Sequence, residues 1–311
     1  MKIVKYIGLY FILILGFFLL FIGRNPQNEP RSYAEIWNLG HVILFAVFTY
    51  TLIRDWKYLS KKTFVTQSWI IPTICLLFGI ITELIQVNFD RNPDLGDLGR
   101  DVLGGFIVLI FFAPKRSQIP LRSLKILRVI MLFIILFALY PLIRSVVDET
   151  ISHKQFPVLS DFETPFEKYR WDAYHVKIGI DRTIARSGQA SLKVELNTTK
   201  YTGLFLKFFP SNWTGYTNLN FSIYNPEQDS LRIICRINDT HHRRRDYRYD
   251  DRFNAKYYLQ SGWNDISIPL DNIKKAPESR FMDLAKIDLI GIFAVKLPQP
   301  RIIYIDRVRL D

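Results

Sequence analysis

Six polar residues interrupt largely apolar sequence in the first half of the chain: His41, Glu83, Gln86, Arg91, Asp97 and Asp101. Glu83 and Gln86 are spaced i, i+3, and Asp97, Asp101 and Gly104 are spaced i, i+4, i+7, so on helices each set shares one face. Carboxylates beside a histidine could do general acid–base work, with Glu83 or Asp97 as base, His41 as proton shuttle and Arg91 holding a phosphate. The same contacts would also make a structural ion network that seals the helix ends, with Arg91 and Arg100 as partners of Glu83 and with Gly104 and Gly105 allowing close helix packing. Both readings stay open, because both need the same neighbours.

A second set of candidates lies further on. Pyranose rings offer apolar C–H patches beside hydroxyls that must be paired, so saccharide binding asks for flat aromatic faces and planar polar groups. Trp171, Tyr174, Tyr201, Trp213, Tyr216, Tyr247, Tyr249 and Tyr257 are the candidates, while Trp263, ahead of Asn264-Asp265-Ile266, reads as a core aromatic. The run Asp239–Arg252 interleaves His241, Arg243, Arg245, Tyr247 and Tyr249 and should form an exposed loop or strand edge. It reads either as a charge-balanced solvated face or as a clamp on an anionic glycan or lipid phosphate, which arginine forks suit. A His-His metal site lacks a third ligand at suitable spacing.

The elements that must position these residues belong to two different solvents. In a chain of 311 residues, apolar runs fill the sequence up to about Arg144, and beyond it none approaches the ~20 residues that cross a bilayer. The expected spans are Ile3–Ile22, Leu39–Ile53, Trp69–Phe89, Asp97–Ala113 and Ile126–Ile143, the second and fourth being short by that standard. The first continues past the length of a signal-peptide core without an Ala-x-Ala-like site, and so reads as an uncleaved helix. Lys and Arg cluster in alternate loops, at Lys2 and Lys5, Arg54 to Lys62 and Lys115 to Arg128. By the positive-inside bias these are cytoplasmic, which puts the second half and the polar cluster on the extracytoplasmic side of a cell membrane. The net charge of +12 is largely this loop bias, and nucleic acid is not an expected partner. Cys75 and Cys235 fall in different halves and do not suggest a disulfide.

After a connector at 148–157, residues 158–311 show short alternating runs such as Ser191–Leu196, Leu204–Phe209, Leu219–Tyr224, Leu231–Ile237, Asp265–Leu270 and Ile302–Leu310, separated by turns at Ser187-Gly188, Asn225-Pro226 and Ser261-Gly262. Many short strands with little helix imply an antiparallel sandwich of jelly-roll form. The fold expected is thus an all-α polytopic bundle of about five membrane helices in 1–147 and an all-β sandwich in 158–311. In the last run the apolar parity at Ile303 and Ile305 shifts to Val308 and Leu310, as a bulge beside Asp306 would cause.

Two resemblances rest on these residues. The segment from Glu83 to Gly104, with E-x-x-Q, an arginine and then D-x-x-x-(Asp101)-x-x-G, and with His41 at the head of the preceding helix, resembles the VanZ-like membrane family. Asp101 stands where that family has asparagine. The resemblance spans His41 to Ala113 and implies a cell-envelope setting without a reaction. Asp161-Phe-Glu163, Gly188-Gln-Ala-Ser-Leu-Lys-Val, Gly262-Trp-Asn-Asp and Tyr304-Ile-Asp306 resemble galactose-binding-like carbohydrate-binding modules. That likeness implies a structural calcium, with Glu163 and Asp306 as its ligands; the alternative is a buried aspartate bonded to backbone amides. The expectation is a membrane protein, in contact with lipids, whose outward module recognises a surface glycan or lipid-linked saccharide. The alternative is a membrane enzyme acting on a lipid-linked substrate through His41, Glu83, Arg91 and Asp97.

Overall fold

A computed structural model describes residues 2–22, 30–87 and 94–311. The chain divides into two compact units, Met1–Ser145 and Val146–Asp311.

The first unit is helical: α1 Lys2–Ile22, α2 Arg31–Asp55, α3 Lys57–Lys61, α4 Phe64–Val87, α5 Leu95–Phe111 and the start of α6 Leu121–Gln155. Asp94 begins α5 as its N-cap, with Oδ1 accepting the Gly96 amide at 2.7 Å, which satisfies one of the donors a helix start leaves open. Helices α2 and α5 pack backbone to backbone. A Cβ at Gly104 would collide with the Val42 carbonyl oxygen and sit 2.8 Å from the Ala46 nitrogen, and one at Gly105 would lie 3.0 Å from Cys75 Sγ on α4. The expected role of these two glycines is therefore what the packing shows. Leu13, Leu44, Phe45, Ile71, Val108 and Leu109 form the core between α1, α2, α4 and α5.

Of the five expected spans, α2, α4 and α6 are long and apolar enough to cross a membrane. Helix α5 has 17 residues, and the shorter apolar stretch of α1 is Ile7–Leu20. Much of α6 carries its apolar side chains outward, Phe133 and Phe137 being 68% and 81% exposed. The segment read as a connector, 148–157, is mostly the end of α6, where Asp148 and Ser152 are buried.

The second unit is a two-layered antiparallel sandwich. Its strands are β1 Val158–Ser160, β2 Trp171–Tyr174, β3 Val176–Asp181, β4 Ser191–Leu196, β5 Tyr201–Leu206, β6 Asn218–Asn225, β7 Leu231–Asp239, β8 Phe253–Leu259, β9 Gly262–Pro269, β10 Ile287–Val295 and β11 Arg301–Leu310, with a short helix α7 Leu270–Lys275 after β9. One sheet runs β3-β4-β11-β6-β9 with β1 added to β11, and the other runs β2-β5-β10-β7-β8. The chain passes from one sheet to the other at every connection except β3–β4 and β7–β8, the connectivity of a jelly roll. Alternation does the sorting. Leu192, Val194, Ile223, Ile233, Cys235, Ile290, Ile292, Ile303 and Ile305 point into the shared core, and their neighbours along each strand point out.

The anticipated bulge is present. The pairing of β11 with β6 shifts between Asp306 and Arg309, and Arg307 takes a left-handed backbone at φ 55°. Gly188 likewise needs its freedom, since at φ +67° a Cβ there would run into the Glu163 carboxylate.

Candidate functional site

In the helical unit the structure gathers His41, Asp97, Asp101 and Arg100. His41 is fully buried, with Nδ1 at 2.9 Å from Asp101 Oδ1 and Nε2 at 3.5 Å from Asp97 Oδ2. Asp97 is in turn held by Arg100, which also reaches Asp94 at 3.5 Å. Glu83 Oε2 accepts the Asp94 amide at 2.9 Å, and Gln86 Nε2 donates to the Leu20 carbonyl at 3.2 Å. Of the two arginines expected to pair with Glu83, Arg100 serves Asp97 and Asp94. Arg91 lies outside the described residues. Asp101 Oδ2 accepts no hydrogen bond among the described residues and faces Gly79, where a Cβ would stand 2.5 Å from it.

In the sandwich the expected aromatic set separates by burial. Trp171 and Trp213 are core residues, 4% and 0% exposed, with indole N–H groups donating to Ser160 Oγ at 3.1 Å and to the Pro210 carbonyl at 3.3 Å. A ring enclosed on both faces offers nothing to a saccharide, so both leave the candidate set. Tyr216 packs on Phe156 with ring centroids 5.4 Å apart. Trp263 lies outside the core cluster, its ring tilted against Tyr224 with centroids 5.3 Å apart on the outer surface of its sheet.

Tyr174 and Tyr201, 48% and 45% exposed, share the outer face of the other sheet. Register fixes who stands beside them. Across β2, β5, β10, β7 and β8 one row reads Asp172, Phe205, Gly291, Arg236, Asn254, and the next reads Tyr174, Gly203, Phe293, Ile234, Lys256. Tyr201, Val295, Arg232 and Tyr258 extend the face at the same parity. Two glycines at its middle bring backbone and rings together. A Cβ at Gly203 would collide with the Ile292 carbonyl oxygen and the Phe293 Cβ, and one at Gly291 would stand 2.8 Å from the Phe205 ring. Tyr174 then meets Phe205, and Tyr201 meets Phe293, each edge-on at 6.4 Å. The result is a low aromatic floor with tyrosines at its margin.

The run Asp239–Arg252 is two 3-10 turns, Thr240–Arg245 and Tyr249–Asp251, and only part of it faces solvent. His242 is buried, with Nδ1 at 3.3 Å from Asp251 Oδ2; burial first, and then the Arg236 charge, push its proton affinity down. Arg280 ties the run to the sandwich, reaching Asp239 Oδ2 at 2.5 Å and Asp251 Oδ1 at 2.7 Å. Arg243 is not a free clamp, because it forks Asp288 at 2.9 and 2.6 Å. Arg245 donates to Ser279 Oγ at 2.7 Å, and His241 stands 3.8 Å from Asp283. Tyr247, 55% exposed, sets its ring edge-on to His242, whereas Tyr249, 68% exposed, lies under Arg252 with the guanidinium carbon 5.2 Å from its centroid. Charge balance therefore holds for most of this loop, and the exceptions among the described residues are Arg244, exposed in a recess it lines with His241, Arg280 and Asp283, and Arg252.

Glu163 and Asp306, the residues put forward for calcium, both act as acceptors of backbone amides. Asp306 Oδ2 takes those of Arg186 and Ser187 at 2.7 and 3.0 Å and Oδ1 that of Arg307 at 2.7 Å, while Glu163 Oε1 takes those of Gln189 and Ala190 at 2.8 and 3.0 Å. This geometry fits the carboxylate–amide alternative, and among the described residues no group of three or more His, Cys, Asp or Glu side chains is gathered as a metal centre. The stronger anchor of this corner is Glu167, fully buried and accepting the amides of Asp161 and Phe162 at 2.8 Å and both the amide and hydroxyl of Thr164. Burial, and then the nearby Glu167 charge, push the Asp161 carboxyl up to about 6.

Phe205, Phe293, Arg236 and Asn254 are the residues that sequence reasoning passed over, while Arg252 entered only as the end of the Asp239–Arg252 run. A signal existed in the strands themselves: Arg232, Ile234 and Arg236 share one parity, as do Arg252, Asn254, Lys256 and Tyr258.

No protein-family model matches the chain, and no curated protein matches it. Among solved structures it is similar to an exo-beta-agarase at 17% identity and a TM-score of 0.41, over 50% of this chain and only 24% of the agarase. It is also similar to the family 11 carbohydrate-binding module of a cellulosomal cellulase of Clostridium thermocellum, at 18% identity and a TM-score of 0.37 over 49% of this chain and 92% of the module. A family 30 carbohydrate-binding module from a cellulosomal cellulase of the same organism aligns at 14% identity and a TM-score of 0.33, over 45% of this chain and 89% of the module.

Proposed function

We propose that this chain is a membrane-anchored saccharide-binding protein of the cell envelope, with its helices in the bilayer, its sandwich outside, and the outer face of the β2-β5-β10-β7-β8 sheet as the platform for a surface or lipid-linked glycan. The observation that carries the binding reading is the floor of Phe205 and Phe293 laid across Gly291 and Gly203 and edged by Tyr174 and Tyr201. Flat aromatic surface beside planar polar groups, here Arg236 and Asn254, is what a pyranose needs, because its C–H faces and its hydroxyls must be served together. The anchoring reading is supported by three helices of sufficient length and hydropathy and by the outward apolar rings of α6, a surface that water would not tolerate and lipid would. The VanZ-like reading of the helical unit rests on the spacing of its polar residues.

The test uses the full chain in detergent micelles against a panel of immobilised neutral and acidic polysaccharides. Retention of at least one class, weakened by Tyr174→Ala and Tyr201→Ala at unchanged melting temperature, is the expected result. A chain that stays folded and binds none of the panel sinks the reading. Orientation is checked separately by protease accessibility of the sandwich on intact cells.

One observation favours a second reading, a proton-handling site acting on a lipid-linked substrate: both ring nitrogens of His41 face carboxylates, and Asp101 Oδ2 keeps an open acceptor. Asp101→Asn, which restores the amide of the resembled family, discriminates. Normal protein levels with loss of the cellular phenotype favour that chemistry, and an unchanged phenotype removes it.

A further inference from the structure

We infer that the saccharide taken by this face is acidic, its carboxylate or sulfate group seated between Arg236 and Arg252. The inference rests on the saccharide platform proposed above and narrows its ligand.

Arg236 stands in the middle of the face, between Gly291 on β10 and Asn254 on β8. Its Nε donates to Asn238 Oδ1 at 3.1 Å, a neutral acceptor, and the carboxylate whose charge reaches it, Asp288, is already forked by Arg243. Arg252, two residues before Asn254 and at the same parity, lies over Tyr249. The carboxylates nearby are already taken. Asp288 is forked by Arg243, Asp251 by Arg280, and Asp250 by Arg248. Neither Arg236 nor Arg252 forms an ion pair among the described residues.

Both guanidiniums are partly buried and repel each other. Burial, followed by the charge of Arg252, lowers the Arg236 proton affinity to about 10, and burial lowers that of Arg252 as well, against an opposing effect of the Tyr249 and Tyr201 phenols. At neutral pH both still carry their charge, so the fold holds two like charges together with no carboxylate in ion-pair contact among the described residues and with Asp288 acting on Arg236 at longer range, an arrangement that an anion would relieve. The hydrogen-bonding groups point the same way. Among the described residues Arg252 Nε has no acceptor and Asn254 Oδ1 no donor, although both atoms are shielded from solvent. Both side chains are only half-buried, so a small shift of each would let an acidic sugar supply an anionic oxygen for the guanidinium and a hydroxyl for the amide oxygen. Native proteins seldom leave such groups unpaired.

The experiment measures binding of the full chain in detergent micelles to polygalacturonate, to dextran sulfate and to two neutral glucans, at two salt concentrations. It includes Arg236→Gln, Arg252→Gln and Arg252→Lys, and as a charge control Arg244→Gln, which removes an equal charge from the recess that Arg244 lines with His241, Arg280 and Asp283. The inference expects an acidic polymer to bind at least tenfold more tightly than the neutral ones, the preference to fall tenfold or more in each Gln variant, and Arg252→Lys to lie between. Preference for polygalacturonate over dextran sulfate identifies a uronate as the ligand class, and the reverse identifies a sulfate ester. Equal binding of neutral and acidic polymers overturns the inference and leaves the platform standing, as does acidic binding weakened as much by Arg244→Gln as by the face variants. Binding of no polymer at all overturns both. Melting temperatures of all variants, read alongside, separate loss of ligand from loss of fold.

Discussion

Two clusters of charge in this molecule are built on opposite plans. Around His41 the charges close on one another: histidine between two aspartates, one aspartate on an arginine, that arginine on the cap of its own helix. On the outer face of the β2-β5-β10-β7-β8 sheet, Arg236 and Arg252 stand beside each other with the local carboxylates committed elsewhere. The loop from Asp239 to Arg252 contains both plans, closed at Asp239, Asp251 and Arg280 and open at Arg252. Closure favours rigidity, because each buried charge has its partner in the fold. An open pair destabilises the empty protein slightly and stabilises the occupied one.

The largest effects should come from opening a closed cluster. Arg280→Ala leaves buried Asp239 with backbone amides and Asp251 with His242 and a distant Arg245, and should cost about 3–5 kcal/mol, the range for removing one partner of a buried pair, read as a fall in the melting temperature of the sandwich. His41→Leu should lower the yield of folded helical unit by a similar mechanism. If either change is silent, the cluster is not closed in the sense described.

Smaller effects belong to the floor. Tyr201→Ala should weaken saccharide binding about three- to tenfold, corresponding to the ~0.5–1.5 kcal/mol of a single aromatic contact, without moving the melting temperature. A drop in stability instead would make Tyr201 a packing residue.

The next effect depends on pH. Asp161 is protonated more readily in the fold than its ordinary value of 3.8 allows. Its favourable contribution is therefore complete below that ordinary value and lost as pH rises through about 6. Asp161→Asn should flatten the decline in melting temperature between those two values. An unaltered slope would place the responsible group elsewhere.

The smallest effects test the open pair and the carboxylate–amide corner. Arg252→Gln should leave stability unchanged or raise it slightly, the reverse of Arg280→Ala, although the two residues lie against the same loop. A fall as large as that of Arg280→Ala would erase the distinction between the clusters. Millimolar calcium should leave the melting temperature where it is if the backbone amides that Asp306 accepts are what holds that corner together. A rise of several degrees would make that corner a cation site.

Several elements were legible from the chain because one physical signal dominated. Strand β4 has the limits its alternation implied, and the parity shift in β11 marked the irregularity at Asp306. Strand β10 gave no such signal, because Leu289, Phe293 and Val295 make its outer side as apolar as the inner one, so the period of two vanishes. The same apolar outer side is what makes the floor. Trp171 and Trp213 were misplaced for a different reason: residue type names a ring that can stack, while only the fold decides whether a face is left open. Glu163 drew notice at the start of the sandwich, yet Glu167, one helical turn later, holds more of that corner. Counting backbone amides that lack a partner requires a folded chain.

The two glycines in the floor set how such a surface can change. At Gly203 the obstacle to any side chain is backbone, the Ile292 carbonyl and the root of Phe293; at Gly291 it is only the Phe205 ring, which can swing aside. One of these positions is therefore fixed by the architecture and the other is adjustable. Replacement of Gly291 by alanine would tilt Phe205 outward and raise a ridge across the platform, so the contour presented to a polymer can be retuned from a single strand while the sandwich beneath it stays as it is.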